Sequence, residues 1–192
     1  EQSVIEGISG KWEGESLAIE GRSRIQDMAN FGPQWSGGSH LLWDGKIGES
    51  MKTSFRIPKV GKHQITMVLT KAPDYGVFTI KLNGKLILKS IDLYASKVEV
   101  SKLIDLGELN LAAGEQYLEF ILSGANVKAH KFRKTGHLMG IDYLVAKDLE
   151  PKKPVKEAKS SAPPINDSIS FEEVQPLLQK YCYECHGAGK KV

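Results

Sequence analysis

The sequence predicts an all-β protein, a jelly-roll β-sandwich, followed by a linker and a short helix. From Glu15 to Lys147 apolar and polar residues alternate with period two in short runs, Gly-containing breaks separate the runs, and helical periodicity is scarce. Side chains on a strand point alternately to opposite faces, so such alternation marks a strand with one face in a core and one in water. Short strands at even spacing, without helices between them, favour a sandwich over a βαβ architecture.

Taken in order, Met51, Thr53, Phe55 and Ile57 face one way while Lys52, Ser54 and Arg56 face the other. Ile65, Met67 and Leu69 repeat the pattern, as do Phe78, Ile80 and Leu82, then Leu118, Phe120 and Leu122, and finally Ile141, Tyr143 and Val145. Breaks fall at Val60-Gly61-Lys62, at Ala112-Ala113-Gly114-Glu115 and at Asn83-Gly84, the dipeptide suited to a tight hairpin turn with both central residues at positive φ. Trp43, following Leu41-Leu42, belongs in the core.

The 192 residues, 41% hydrophobic, allow one main core and a smaller piece. The 26 basic and 23 acidic residues are interspersed, for a net charge of +3, which argues against a nucleic-acid groove or a supercharged tail. No apolar run reaches 18 residues, so no transmembrane helix and no signal-peptide core are expected, and a chain opening on Glu1 reads as a processed product. Residues 1–148 contain no cysteine, so the sandwich is expected to be held by core packing, with or without the aid of a bound ion.

After Asp148 the composition changes. Residues 149–168, rich in Pro, Lys and Ser, read as a semi-extended linker. Within 169–192, Ser170 and Glu173 form a capping box that starts a short helix at Phe171. Val174, Leu177, Leu178 and Tyr181 make one apolar stripe, and Pro176 kinks or restricts the helix. The chain then reaches Cys182-Tyr183-Glu184-Cys185-His186. In Cys-x-x-Cys-His, two thiols bond the haem vinyl groups and the adjacent imidazole ligates iron. The competing readings are a chance, redox or zinc pair; zinc would need further ligands.

Phe171 to Gly187 resembles the start of the planctomycete-type cytochrome c domain of exported multidomain proteins. The resemblance implies covalent haem c attached at Cys182 and Cys185, with His186 as axial iron ligand. Six residues follow His186, so the domain is expected to be truncated and its distal ligand absent. Met28, Met51, Met67 and Met139 lie upstream and read as core or edge residues.

Trp12-Glu13-Gly14-Glu15-Ser16 and Gly140-Ile141-Asp142-Tyr143-Leu144 resemble the first and last strands of galactose-binding-like jelly rolls, which include carbohydrate-binding modules. That resemblance makes Glu13, Glu15 and Asp142 candidate ligands of a structural calcium ion, which takes carboxylate oxygens. Otherwise the three acids simply face solvent on their strands. The segments 31–43, 70–76 and 91–94 resemble sandwich modules attached to cytochrome and glycan-processing proteins of the same bacteria. Aromatics beside small polar residues suit sugars, whose C–H faces stack on rings while polar groups take the hydroxyls. Trp35, Tyr75 and Tyr94 are the candidate platforms, and His40, Asp74, Asp92 and Asn126 the candidate hydrogen-bonding partners. Core packing is the alternative for each ring. The basic run Lys128 to Lys134 reads as a solvated loop or a contact for anionic polysaccharide.

The functional expectation is therefore an exported haem c electron-transfer protein, periplasmic or at the cell surface, whose sandwich binds an extracellular polysaccharide and whose cytochrome meets a redox partner protein. The alternatives are a structural or protein-docking sandwich without a sugar site, and a small glycan hydrolase using paired acids such as Asp74 and Asp92. No nucleophile elbow, His-Glu-x-x-His or phosphate loop is present. Expressed with a cytochrome c maturation system, the longer parent protein should retain haem through denaturing electrophoresis; loss of that signal would exclude covalent attachment.

Overall fold

The computed structural model describes residues 8–20, 22–149 and the single residue Gln175, which is helical and exposed. The chain divides into two units between Pro151 and Lys152. Among the described residues, strands β1 (Ile8–Glu13), β2 (Ala18–Glu20), β3 (Ser23–Asp27), β4 (Ser39–Gly45), β5 (Ser50–Ile57) and β6 (Gly61–Lys71) precede β7 (Gly76–Leu82), β8 (Lys85–Asp92), β9 (Glu99–Val100), β10 (Ile104–Leu111), β11 (Gly114–Ala125) and β12 (His137–Asp148). Only 3-10 turns interrupt them between residues 8 and 149, at Gly14–Ser16, Ala29–Phe31 and Ser36–Gly38.

The strands form two antiparallel sheets. The first runs β10-β6-β12-β4-β3, with β1 also paired to β12 and β9 to β6; the second runs β2-β5-β11-β7-β8. The alternation read from the sequence becomes the core between them. Met51, Phe55, Ile57, Ile65, Met67, Leu69, Phe78, Ile80, Phe120 and Leu122 are all buried. Trp43 is buried too and meets Phe78 edge-on, with centroids 6.1 Å apart, the arrangement aromatic quadrupoles favour. Trp12 closes one margin of the sandwich against Phe55 at 5.1 Å. Asn83 and Gly84 make the β7–β8 turn with φ of 50° and 78°, the left-handed conformation expected of that dipeptide.

The last strand departs from the expected alternation. Ile141 pairs with Leu69 and Tyr143 with Val68, so Asp142 is an extra residue on β12. Such a β-bulge reverses the facing of everything beyond it. Leu144 and Ala146 therefore enter the core, whereas Tyr143 and Val145, predicted to share a face with Ile141, are only half-buried. On the other edge of β12, pairing with β4 ends at Ile141↔Leu41 and pairing with β1 starts at Glu13↔Tyr143. Asp142 occupies the handover.

This reversal is measurable. Leu144→Ala should destabilise the protein to urea by about 2–5 kcal/mol, and Val145→Ala by less than half as much; equal losses would contradict the bulge.

Candidate functional sites

Three carboxylates predicted to act together converge at the handover. Glu13 ends β1, and the chain turns at once through Gly14–Ser16, so Glu15 does not continue a strand. Gly14 packs so tightly on β12 that a β-carbon there would collide with the Ile141 carbonyl oxygen. From the other side arrives the segment preceding β4. Ser36 N–H donates to Asp142 Oδ1 at 2.9 Å, Ser36 Oγ donates to Glu13 Oε1 at 3.0 Å, and Glu15 Oε1 lies over Gly37. Lys11 is the cation at hand. Its Nζ donates to Glu13 Oε1 at 2.7 Å and Ser36 Oγ at 2.6 Å, and sits 4.5 Å from the centre of the Tyr143 ring.

One oxygen of each acid remains unserved: Glu13 Oε2, Glu15 Oε2 and Asp142 Oδ2 are buried without a hydrogen-bond partner. Asp142 is only 1% exposed. Burial, reinforced by the charges of Glu13 and Glu15 and opposed by the Ser36 N–H and Lys11, pushes its carboxyl up to about 6. As the side chains stand, no group of three acidic, histidine or cysteine residues among the described residues is placed so that it could hold a metal ion. The donors are nevertheless of the hard oxygen type that calcium takes, and the three orphaned oxygens are what such an ion would satisfy.

The structure moves three predicted sugar ligands into the interior. Trp35 is 3% exposed, with Nε1–H donating to Thr70 Oγ1 at 2.9 Å, so its ring offers no stacking face. His40, fully buried on β4, bonds Thr70 and Gln26. Tyr75 is 4% exposed; burial, with the Asp74 charge adding to it, raises its phenol far above the usual range, so it stays neutral within the core. Both rings were expected in binding loops because Gly, Ser and Pro surround them. Those residues instead let the loops fold back onto the sheets.

The other four predicted residues lie at one end of the sandwich, and three of them are directly joined. Asp92 Oδ1 accepts the Tyr94 N–H at 2.9 Å, and Asp92 Oδ2 accepts from Asn126 Nδ2 at 2.6 Å. Asn126 Oδ1 accepts the Lys128 N–H at 3.0 Å, which ties down the start of the basic run. Asp74 stands on the neighbouring loop, its carbonyl accepting Leu138 N–H at 3.0 Å. Asp92 thus commits both oxygens to loop structure, which disfavours it as one of a hydrolytic pair.

Beside this cluster lies a cavity of about 560 Å³, lined by Asp92 together with Gln34, Lys71, Glu99, Ser101 and Lys102 and by the apolar Ile91, Leu93, Val100, Leu103 and Ile104. Its volume is in the range of small-ligand sites. Gln34, Lys71, Ile91 and Leu93 fall within segments highlighted from the sequence, although of the lining residues only Asp92 was named there as a ligand; Glu99, Val100, Ser101, Lys102, Leu103 and Ile104 lie outside those segments. Cys182, Cys185 and His186 lie outside the described residues, and among the described residues no helix is long and apolar enough to cross a membrane.

No protein-family model matches the chain, and no curated protein sequence does. Solved structures do share the architecture. A xanthan lyase from Paenibacillus is 19% identical over 76% of this chain, with a TM-score of 0.61. A GH26-CBM35 β-(1,4)-mannanase from Podospora anserina is 13% identical over 78%, with a TM-score of 0.51. The chain spans 14% of that lyase and 29% of that mannanase. A family 35 carbohydrate-binding module from an environmental isolate is 12% identical, with a TM-score of 0.51, over 73% of this chain and 93% of its own. The described unit is therefore an all-β, two-sheet sandwich with the fold of a family 35 carbohydrate-binding module.

The displaced titration of Asp142 has a definite sign. Its folded-state pKa lies above the ordinary carboxylate value, so between about pH 4 and 6 the native state holds the proton that the unfolded chain has released. In chelating buffer the stability due to this group should therefore fall as pH rises through that window, by on the order of 2–3 kcal/mol. Urea titrations at pH 4 and pH 7 should show Asp142→Asn without that component; an unchanged pH dependence in the variant would contradict the assignment.

Proposed function

We propose that the sandwich is a carbohydrate-binding module that takes sugar at the loop end, with a structural calcium ion braced by Glu13, Glu15 and Asp142. The observation that carries the sugar reading is the cavity lined in part by Asp92, whose carboxylate is hydrogen-bonded to Tyr94 and Asn126. Its aliphatic side chains suit the C–H face of a pyranose, and its ammonium, carboxylate, amide and hydroxyl groups suit sugar hydroxyls. Tyr94, half-buried, is the one predicted platform that keeps some exposure. The presence of the same fold in a family 35 carbohydrate-binding module supports the reading.

For the ion, the support is the set of three buried oxygens without partners, one of them on a carboxylate almost wholly withdrawn from water. A divalent cation would offset the mutual repulsion of the three acids and tie β1, β12 and the segment before β4 together. We further propose, from the Cys182-Tyr183-Glu184-Cys185-His186 spacing alone, that the C-terminal part attaches haem c and serves electron transfer to a redox partner outside the cytoplasm.

A rival reading, a structural or protein-docking sandwich, draws support from the burial of Trp35 and Tyr75, which leaves fewer rings for stacking. Affinity electrophoresis of the full 192-residue chain through xanthan, β-1,4-mannan and a panel of plant and algal polysaccharides separates the two. Retardation by at least one glycan is expected, weakened at least about fivefold in Asn126→Ala and Lys71→Ala, as loss of a hydrogen bond worth about 1 kcal/mol implies. No retardation by any of them, with calcium or with chelator, would favour the docking module.

A further inference from the structure

The segment that delivers Ser36 to the carboxylates is anchored by a chain of side-chain hydrogen bonds on the outer side of the first sheet. Trp35 Nε1 lies 2.9 Å from Thr70 Oγ1, Thr70 Oγ1 lies 2.6 Å from His40 Nδ1, and His40 Nε2 lies 3.1 Å from Gln26 Oε1. With His40 neutral, one assignment of protons fits the three contacts. The Gln26 carbonyl only accepts, so His40 Nε2 carries the hydrogen and Nδ1 presents a lone pair. Thr70 then donates its hydroxyl hydrogen to Nδ1 and accepts the indole N–H on its own lone pair. Each polar atom in the chain is satisfied with His40 neutral, and burial, with Arg24 adding to it, holds that imidazole down at about 4.

The chain is locked sterically as well. The His40 ring rests on Gly140, where a β-carbon would approach two ring atoms to 2.6 Å, so His40 presses on β12 two residues before Asp142. At its base the loop is closed by Met28 N–H donating to the Gly38 carbonyl at 2.9 Å, with Met28 itself buried. Trp35 is thereby fixed to β6, β4 and β3 at once. Ser36, the next residue, serves Asp142 Oδ1 with its N–H and Glu13 Oε1 with its hydroxyl.

We propose that Trp35, acting through Thr70, His40 and Gln26, is a positioning residue for the calcium-binding carboxylates. It fixes Ser36 so that one oxygen of Asp142 and one of Glu13 are occupied and the other oxygen of each is left for the ion. This rests on the calcium reading above. Groups that orient metal ligands without touching the metal commonly change affinity by about 10–100-fold when removed, which is the expected size of the effect.

The test is calorimetric titration of the full 192-residue chain with calcium chloride, alongside its melting temperature in chelator. Wild-type protein should bind calcium. Thr70→Val, which keeps the shape and loses the hydroxyl, and Trp35→Phe, which keeps a ring and loses the N–H, should each bind at least about tenfold more weakly. Thr70→Ser should restore binding. Gln26→Leu, at the half-buried end of the chain on an edge strand, gives a milder variant should the core substitutions fail to fold, and should weaken binding in the same direction. A merely structural role would lower the chelated melting temperature and leave calcium affinity unchanged. Wild-type affinity in Thr70→Val, Trp35→Phe and Gln26→Leu would overturn the inference while leaving the ion site intact. No calcium uptake by wild-type protein would overturn the ion reading and this inference with it.

Discussion

At Asp142 the last strand carries one residue more than β6 beside it, and at that same point its other edge passes from β4 to β1. A strand in mid-sheet has no room for a side chain in the plane of its neighbours, but a strand that changes partner opens a gap. The bulge turns Asp142 into that gap. Gly14 closes one side by packing on the Ile141 carbonyl, and Ser36 closes the other by donating to the carboxylate. Core facing downstream of the bulge, the abrupt end of β1 and the path of the segment before β4 all follow from accommodating this one residue.

Such an arrangement has an electrostatic cost that sets its chemistry. Three carboxylates share one region, one of them almost fully buried, and Lys11 is the cation bonded there. Desolvation and mutual repulsion act together on Asp142, so below about pH 6 a proton relieves them. Above that, relief has to come from a cation. A second lysine would bring three donors to scattered oxygens, whereas a divalent ion accepts several carboxylate oxygens at once with flexible geometry. Burying a charge without compensation costs several kcal/mol, which is why the partnerless oxygens, rather than the acids as such, carry weight.

Alternation made much of the sandwich legible: the inward residues of β5, β6, β7 and β11 were read correctly because those strands keep one parity over the core-facing residues that were read. Asn83-Gly84 was legible because few other dipeptides fit a turn with two positive φ values. In β12 the same reasoning failed after Ile141, since a bulge leaves no mark in a pattern of apolar and polar letters; Tyr143, Leu144, Val145 and Ala146 are all apolar or amphipathic and fit either facing. The carboxylates were found through resemblance, and spacing alone would not have joined Glu15 to Asp142. Trp35, His40 and Tyr75 were misplaced for a common reason: a loop sequence shows that the chain turns and leaves open whether it turns toward water or back onto a sheet. Lys71, Lys102 and Gln34 were not named as ligands because nothing in the sequence shows that residues 34, 71 and 91–104 meet at one cavity.

The segment before β4 shows how one buried ring serves two surfaces. Trp35 is extended, with φ −83° and ψ 135°, so its two neighbours diverge from the same anchored indole. Gln34 goes to the wall of the cavity and Ser36 to the carboxylates. Neither neighbour is itself deeply buried, and a loop of Gly, Pro and Ser would by composition sample many conformations. Holding the intervening residue through Thr70, His40 and Gln26 removes that freedom from both sites with a single set of contacts. Order at the cavity wall and order at the carboxylates therefore depend on the same few hydrogen bonds in the interior. The ring that the sequence suggested as a sugar platform contributes by fixing its neighbours rather than by touching a ligand.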